Sequence, residues 1–171
     1  DIGQRFNHLF GKGKDLFVLP EVVIEEEVAT LPGLDGRKMS KSYDNTIPLW
    51  LPEKRLRKSI MKIVTNSLEP GEPKETEGST LYEIYRAFAT EEETRAVEKR
   101  YSEGIAWGEM KQLLFEYIND HLKPMREEYN RLIDDPAVIE AELRKGADRA
   151  REISVPYIQE IRHAVGIRKL G

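Results

Sequence analysis

From Glu109 to Val165, apolar residues recur at three- and four-residue spacing, with one sharp break. Met110, Leu114, Tyr117, His121 or Leu122, Met125, Tyr129 and Leu132 share one face of a helix predicted from Glu109 to about Ile133. Asp135-Pro136 is the break. A capping residue followed by proline, whose missing N–H is harmless at the first helical position, starts a new helix. Ala137, Ala141, Ala147 and Ala150 suit that helix to close packing, and Val155, Ile158, Ile161 and Val165 continue its stripe. Pro124 predicts a kink near Asp120, and Pro156 a kink or an interruption. Two helices of this length commit the chain to a mainly α fold.

Shorter helices are predicted upstream. Ile2, Phe6 and Leu9 or Phe10 mark a helix ended by Gly11 and Gly13. Pro52 opens another, with Leu56, Ile60 and Ile63 as its buried stripe. Its other faces are basic: Lys54, Lys58 and Lys62 recur every fourth residue, with Arg55 and Arg57 beside them. Such a face is either solvated or a surface for RNA phosphates. Ser79 or Thr80 caps a third helix, with Glu83 placed for a capping box on Thr80. Leu81, Ile84, Tyr85 and Phe88 form its apolar face, and Thr90 followed by Glu91, Glu92 and Glu93 starts a fourth. Leu16–Leu19 and Val22–Ile24 read as short strands separated by Pro20, and Val28-Ala29-Thr30 as a further one. The proline-rich loop at residues 69–74 is expected to divide the chain into two units.

Composition narrows the function classes. The 171 residues are 39% hydrophobic and 34% charged, enough apolar content for a core. No apolar run approaches the roughly 18 residues of a membrane span, and no secretion leader is visible. Cysteine is absent, which removes disulfides, thiolate metal ligands and thiol nucleophiles, and fits the cytoplasm. A net charge of −4 disfavours nucleic-acid binding over the whole surface but permits local basic patches. His8, His121 and His163 lie far apart, in no metal-ligand spacing, and no metal site is expected.

Between Gly33 and Asn45 the chain reads Gly-Leu-Asp-Gly-Arg-Lys-Met-Ser-Lys-Ser-Tyr-Asp-Asn. Glycines at 33 and 36 give the backbone freedom. Lys38 and Lys41 bring two ammonium groups, and Ser40 and Ser42 two hydroxyls, to one short loop. That set suits closure over a polyphosphate, where fixed positive charge meets negative charge as a leaving group departs. Met39 is apolar and is expected to anchor the loop on the domain surface.

The segment Lys38-Met39-Ser40-Lys41-Ser42 resembles the KMSKS signature of class I aminoacyl-tRNA synthetases. With its flanks it looks like the same segment of the bacterial tryptophanyl enzymes. Asp1-Ile2-Gly3-Gln4-Arg5-Phe6-Asn7 and the run from Trp107 to Tyr129 also look like parts of that family. The resemblance implies a small α/β remnant of a Rossmann-type catalytic domain over residues 1–50, and a helical-bundle tRNA- and anticodon-binding domain over residues 51–171. It implies ATP as substrate with Mg2+, no tightly bound cofactor, and L-tryptophan and its tRNA as partners. It also implies a cytoplasmic homodimer with tRNA lying across both subunits. Lys41 matches the lysine more important for the transition state, and Lys38 the first lysine. Lys38, Met39, Ser40, Lys41 and Ser42 would contact ATP, with Ala29 on the preceding segment placed near adenine. Lys54, Arg55, Lys58, Arg144, Lys145, Arg149 and Arg151 are the candidate tRNA contacts.

Half of such an active site is missing. No H-I-G-H tetrapeptide and no G-x-D-Q segment occurs. The resemblance therefore implies the C-terminal part of the enzyme, unable to activate an amino acid alone. Two alternatives stay open. One is a fragment of a tyrosyl or other class I synthetase, because the specificity pocket lies elsewhere. The other is a non-catalytic, synthetase-derived RNA-binding module that keeps the loop as a relic.

Overall fold

The computed structural model describes residues 1–24 and 30–167. Six α-helices carry the fold among them: α1 (Ile2–Phe10), α2 (Glu53–Met61), α3 (Thr80–Arg86), α4 (Glu91–Ser102), α5 (Trp107–Asp134) and α6 (Pro136–Ala164). The mainly α expectation holds. The chain forms two compact units, one of residues 24–131 and one of residues 1–23 with 132–171. The loop at 33–45 and α2 share the first of these.

That unit, residues 24–131, holds the hydrophobic core. Leu56, Ile60 and Ile63 are buried as the α2 stripe requires. They join Leu81, Ile84 and Tyr85 of α3, Val97 and Tyr101 of α4, and Met110, Leu114 and Ile118 of α5. Tyr101 sits fully buried, edge-on to Tyr82 and Trp107, and its hydroxyl lies 2.9 Å from Ser79 Oγ. Burial pushes its phenol pKa up to about 12.

Both caps act, one of them differently from expectation. Thr90 forms a full capping box with Glu93. At α3 the cap is Ser79, whose hydroxyl accepts from the Tyr82 N–H, while Thr80 is the first helical residue and is buried. A capping hydroxyl needs an extended backbone, and Ser79 has it (φ −83°, ψ 106°).

The proline-rich loop at 69–74 is not a divider; it is stitched into this core. Lys74 is 5% exposed, and its ammonium donates to the carbonyls of Glu69 and Glu72, each at 2.9 Å. Gly71 N–H donates to Gly104 O, and Lys74 N–H to Tyr101 O. Gly104 must be glycine. Its φ is +84°, and a Cβ there would lie 2.4 Å from the Gly71 backbone.

The second unit, residues 1–23 with 132–171, is held by aromatic contacts. Phe6 meets Phe10 and Phe17, Phe17 lies edge-on to Tyr157 of α6, and the Tyr157 hydroxyl donates to Leu16 O at 2.7 Å. The strands expected at 16–19 and 22–24 do not form. The Asn7 carboxamide takes both backbone groups of Phe17 at 2.8 Å, the groups a neighbouring strand would otherwise pair. Val18, Val22 and Val23 are then left exposed. The expected strand at 28–30 falls mostly outside the described residues.

α6 also departs from its pattern. It runs through Pro156 without interruption, no residue in it is buried, and its alanines and apolar stripe lie exposed or half-exposed. α5 likewise continues through Pro124. Among the described residues, no helix is long and apolar enough to cross a membrane.

Candidate functional site

The loop at 33–45 is built around one buried side chain. Asn45 is 2% exposed. Its Oδ1 accepts from the Ser40 N–H at 2.8 Å, and its Nδ2 donates to Asp35 Oδ1 at 2.8 Å and to Lys38 O at 3.2 Å. Its own carbonyl accepts from Leu34 N–H at 2.9 Å. Two ends of the loop are thereby clasped together. Gly33 permits this by close approach, since a Cβ there would lie 2.4 Å from Asn45 Cγ. Gly36 serves differently, turning the chain at φ +79°.

A short antiparallel bridge from Pro32 to Lys38 and a bond from Met39 N–H to Leu31 O close the base. The loop then rests on the core through Leu34, Ile47 and Leu51, and Leu34 O accepts from Val64 N–H just beyond α2. Met39 is half-buried but does not join that contact, so anchoring falls chiefly to these three residues.

Arg37 and Asp35 form an ion pair at 2.6 Å, and the Arg37 guanidinium lies 4.5 Å above the Tyr43 ring. The Asn45 amide, with Arg37, holds the Asp35 carboxyl at a pKa of about 2, against an ordinary 3.8. A depressed carboxylate pKa contributes stability above the ordinary value and loses it as pH falls through the folded one. The Asp35 carboxyl should therefore stay ionised at pH 3.8 and protonate near pH 2 in a carbon-13 carboxyl titration. A midpoint at the ordinary value would mean that the clasp is open in solution.

At the tip, Ser40 caps a 3-10 turn over Lys41–Tyr43. Its hydroxyl lies 2.8 Å from Ser42 Oγ and accepts from Ser42 N–H. Lys38 and Lys41 are exposed, and among the described residues neither has an acidic partner. Of the loop's three cations, Arg37 is neutralised locally, and among the described residues the two lysines are not. That leaves two ammonium groups and, with the other hydroxyl hydrogen spent between Ser40 and Ser42, one hydroxyl donor for an anion. A neighbouring cleft of about 400 Å³ lined by Asp35, Glu75, Glu77 and Trp107 includes no lysine or arginine and does not suit a polyphosphate.

The other expected residues fall as follows. Ala29 lies outside the described residues. Lys54, Arg55 and Lys58 are exposed on α2 with no acidic partner among the described residues, while Arg57 bonds Gln112. On α6, Arg144, Lys145 and Arg151 pair with Glu140, Glu142 and Asp148, and Arg149 is exposed with no acidic partner among the described residues. No cluster of three or more metal-ligating side chains occurs among the described residues. Sequence reasoning missed Asp35 and Asn45 as structural members of the loop. Their only signal was a short polar side chain beside each of its glycine-rich and serine-rich stretches.

Residues 1–123 match the family model described as tRNA synthetases class I (W and Y). The chain is 57% identical over 170 residues to a tryptophan–tRNA ligase of Pseudomonas aeruginosa, covering 99% of this chain and 38% of that relative. A tryptophan–tRNA ligase of Bordetella parapertussis is 54% identical, with coverage of 99% and 38%. The crystal structure of a tryptophanyl-tRNA synthetase from Campylobacter jejuni, complexed with ADP and tryptophan, superposes with a TM-score of 0.79 at 38% identity. It covers 97% of this chain and 51% of that structure. The chain thus spans less than two-fifths of the length of the curated relatives it matches. With the family model matching most of its length, the chain belongs to the class I tRNA synthetases of the tryptophan and tyrosine type.

Proposed function

We propose that this chain is the C-terminal segment of a tryptophan–tRNA ligase, and that its loop acts on ATP during amino-acid activation. The observation that carries the reading is the pair of exposed lysines, without an acidic partner among the described residues, at the tip of an internally clasped loop. In activation, a carboxylate oxygen of tryptophan attacks the α-phosphorus of ATP. The bond from that phosphorus to the bridging oxygen breaks, and its electron pair leaves with pyrophosphate. Lys38 and Lys41 meet the charge that develops on the leaving group, and the paired hydroxyls of Ser40 and Ser42 donate a hydrogen bond to it. Mg2+ enters with the nucleotide as part of the substrate, held by its phosphates. The activated carboxyl then passes to a ribose hydroxyl of the tRNA, releasing AMP.

Residues 1–50 belong in this reading to the catalytic domain, with Ala29 near adenine, and residues 51–171 to the tRNA-binding domain. The full-length protein works in the cytoplasm as a homodimer. Tryptophan, rather than tyrosine, is favoured by the tryptophan–tRNA ligases at 57% and 54% identity.

The tRNA contacts divide on electrostatic grounds. Among the described residues Lys54, Arg55 and Lys58 have no acidic partner to weaken their attraction for phosphate, whereas Arg144, Lys145 and Arg151 are partly neutralised by their own helix. Lys58→Glu is expected to weaken tRNA binding and to lower the slope of log affinity against log salt by about 1. An unchanged slope would return this face to a merely solvated one.

The coding sequence upstream of Asp1 tests the reading directly. An open frame holding H-I-G-H and G-x-D-Q motifs supports it. A start codon at Asp1 would replace it with the RNA-binding module.

A further inference from the structure

We infer that Asn45 is a positioning residue for the activation step, fixing the backbone from Arg37 to Ser40 so that both lysine ammoniums meet the phosphates together. The inference rests on the function proposed above and adds a residue to it. At 2% exposure Asn45 cannot itself touch a nucleotide. It acts through the backbone it holds. One carboxamide fixes Ser40 N–H, Lys38 O and, more weakly at 3.4 Å, Arg37 O. These atoms flank the Lys38 side chain and immediately precede Lys41. The rotation of the Asn45 amide is itself set by Asp35, whose other oxygen bonds the Arg37 side chain. Among the described residues no other side chain bonds the backbone on both sides of Met39, although Gly33 N–H also holds Arg37 O and Tyr43 N–H holds Ser40 O. Alignment of a catalytic group is sensitive to such support, since a shift of roughly 1 Å can cost about 100-fold in rate.

The chemistry of the clasp separates positioning from bulk. Asn45→Asp keeps the acceptor for Ser40 N–H but removes the donor to Asp35, Arg37 O and Lys38 O. It also sets two carboxylates against each other. Adding Asp35→Asn restores a donor across that contact. Gly33→Ala perturbs the clasp differently, because its Cβ pushes the same carboxamide and adds no charge.

The test uses the full-length protein, with tryptophan-dependent ATP–pyrophosphate exchange and thermal denaturation. Asn45→Asp is expected to lower kcat by about 100-fold while the KM for tryptophan stays near wild type; the lost clasp also lowers the melting temperature, so kcat is read well below it. The double variant Asp35→Asn with Asn45→Asp is expected to regain at least about tenfold of that loss. Should Asn45→Asp not fold, Gly33→Ala is expected to lower kcat, read well below its melting temperature, with the KM for tryptophan near wild type. A kcat within about threefold of wild type in a folded variant would overturn the inference. So would a loss fully accounted for by the fraction unfolded at the assay temperature, or a double variant no faster than Asn45→Asp. Lys41→Ala, run alongside, separates the two readings. If it is inactive while the clasp variants are normal, only the positioning role fails. If it is fully active, the role of the loop in activation fails as well.

Discussion

Lys41→Ala in the full-length protein should slow amino-acid activation by about 10²–10³-fold and leave tryptophan affinity nearly unchanged. The split follows from where charge appears. In the ground state the phosphates of ATP are already solvated and carry their bound Mg2+, so one ammonium adds little. As the bond to the α-phosphorus breaks, charge concentrates on the departing pyrophosphate, and an ammonium fixed in a loop meets it without reorganising solvent. Lys41 is suited to this because it is exposed and has no acidic partner among the described residues. Arg37, on the same loop, is not, because Asp35 already neutralises it. Arg37→Ala should therefore act through loop geometry and cost less than Lys41→Ala. Single-turnover kinetics with equilibrium tryptophan binding check both. If affinity collapsed while the rate held, the transition-state role would be lost.

Tyr101→Ala should destabilise the unit of residues 24–131 by about 3–5 kcal/mol in urea or thermal unfolding. Three contributions add. The ring is fully buried at the meeting of α3, α4 and α5, so its removal leaves a cavity. It also removes edge-on contacts to Tyr82 and Trp107. Ser79 loses the hydroxyl beside it while still capping α3. Tyr101→Phe keeps the ring and removes only the hydroxyl, and should cost about 1 kcal/mol. Equal losses in the two variants would contradict this division.

Much of the helical unit is legible in the sequence because its signals are local. Leu56, Ile60 and Ile63 recur at helical spacing and are buried as a set. Thr90 is legible as a cap and acts as one, but the capping box expected at Thr80 and Glu83 forms instead between Thr90 and Glu93. The misreadings arise where a distant group decides. Leu16–Leu19 has the composition of a strand, but Asn7, ten residues from Phe17, takes the backbone bonds a sheet would use. The proline-rich loop at 69–74 looks like a linker until Gly71 and Lys74 bond the backbone of Gly104 and Tyr101, and the Lys74 ammonium reaches the Trp107 ring. Both are long-range outcomes that periodicity cannot carry.

The loop divides in the same way. Its cations and hydroxyls are visible at once, and so is the need for glycine at 36. The role of Asn45 is not, because it depends on Asp35 and Lys38 meeting it across a closed turn. Gly33 gains its reason only there: it makes room for the Asn45 carboxamide. The α6 stripe shows the opposite failure. Its apolar spacing is regular, yet nothing among the described residues buries it.

The most direct test is ATP–pyrophosphate exchange by the full-length protein, with tryptophan and tyrosine supplied separately. Exchange with tryptophan, lost in Lys41→Ala, is the predicted result. Exchange driven by tyrosine would contradict the substrate, and tRNA binding with no exchange at all would contradict the ligase itself.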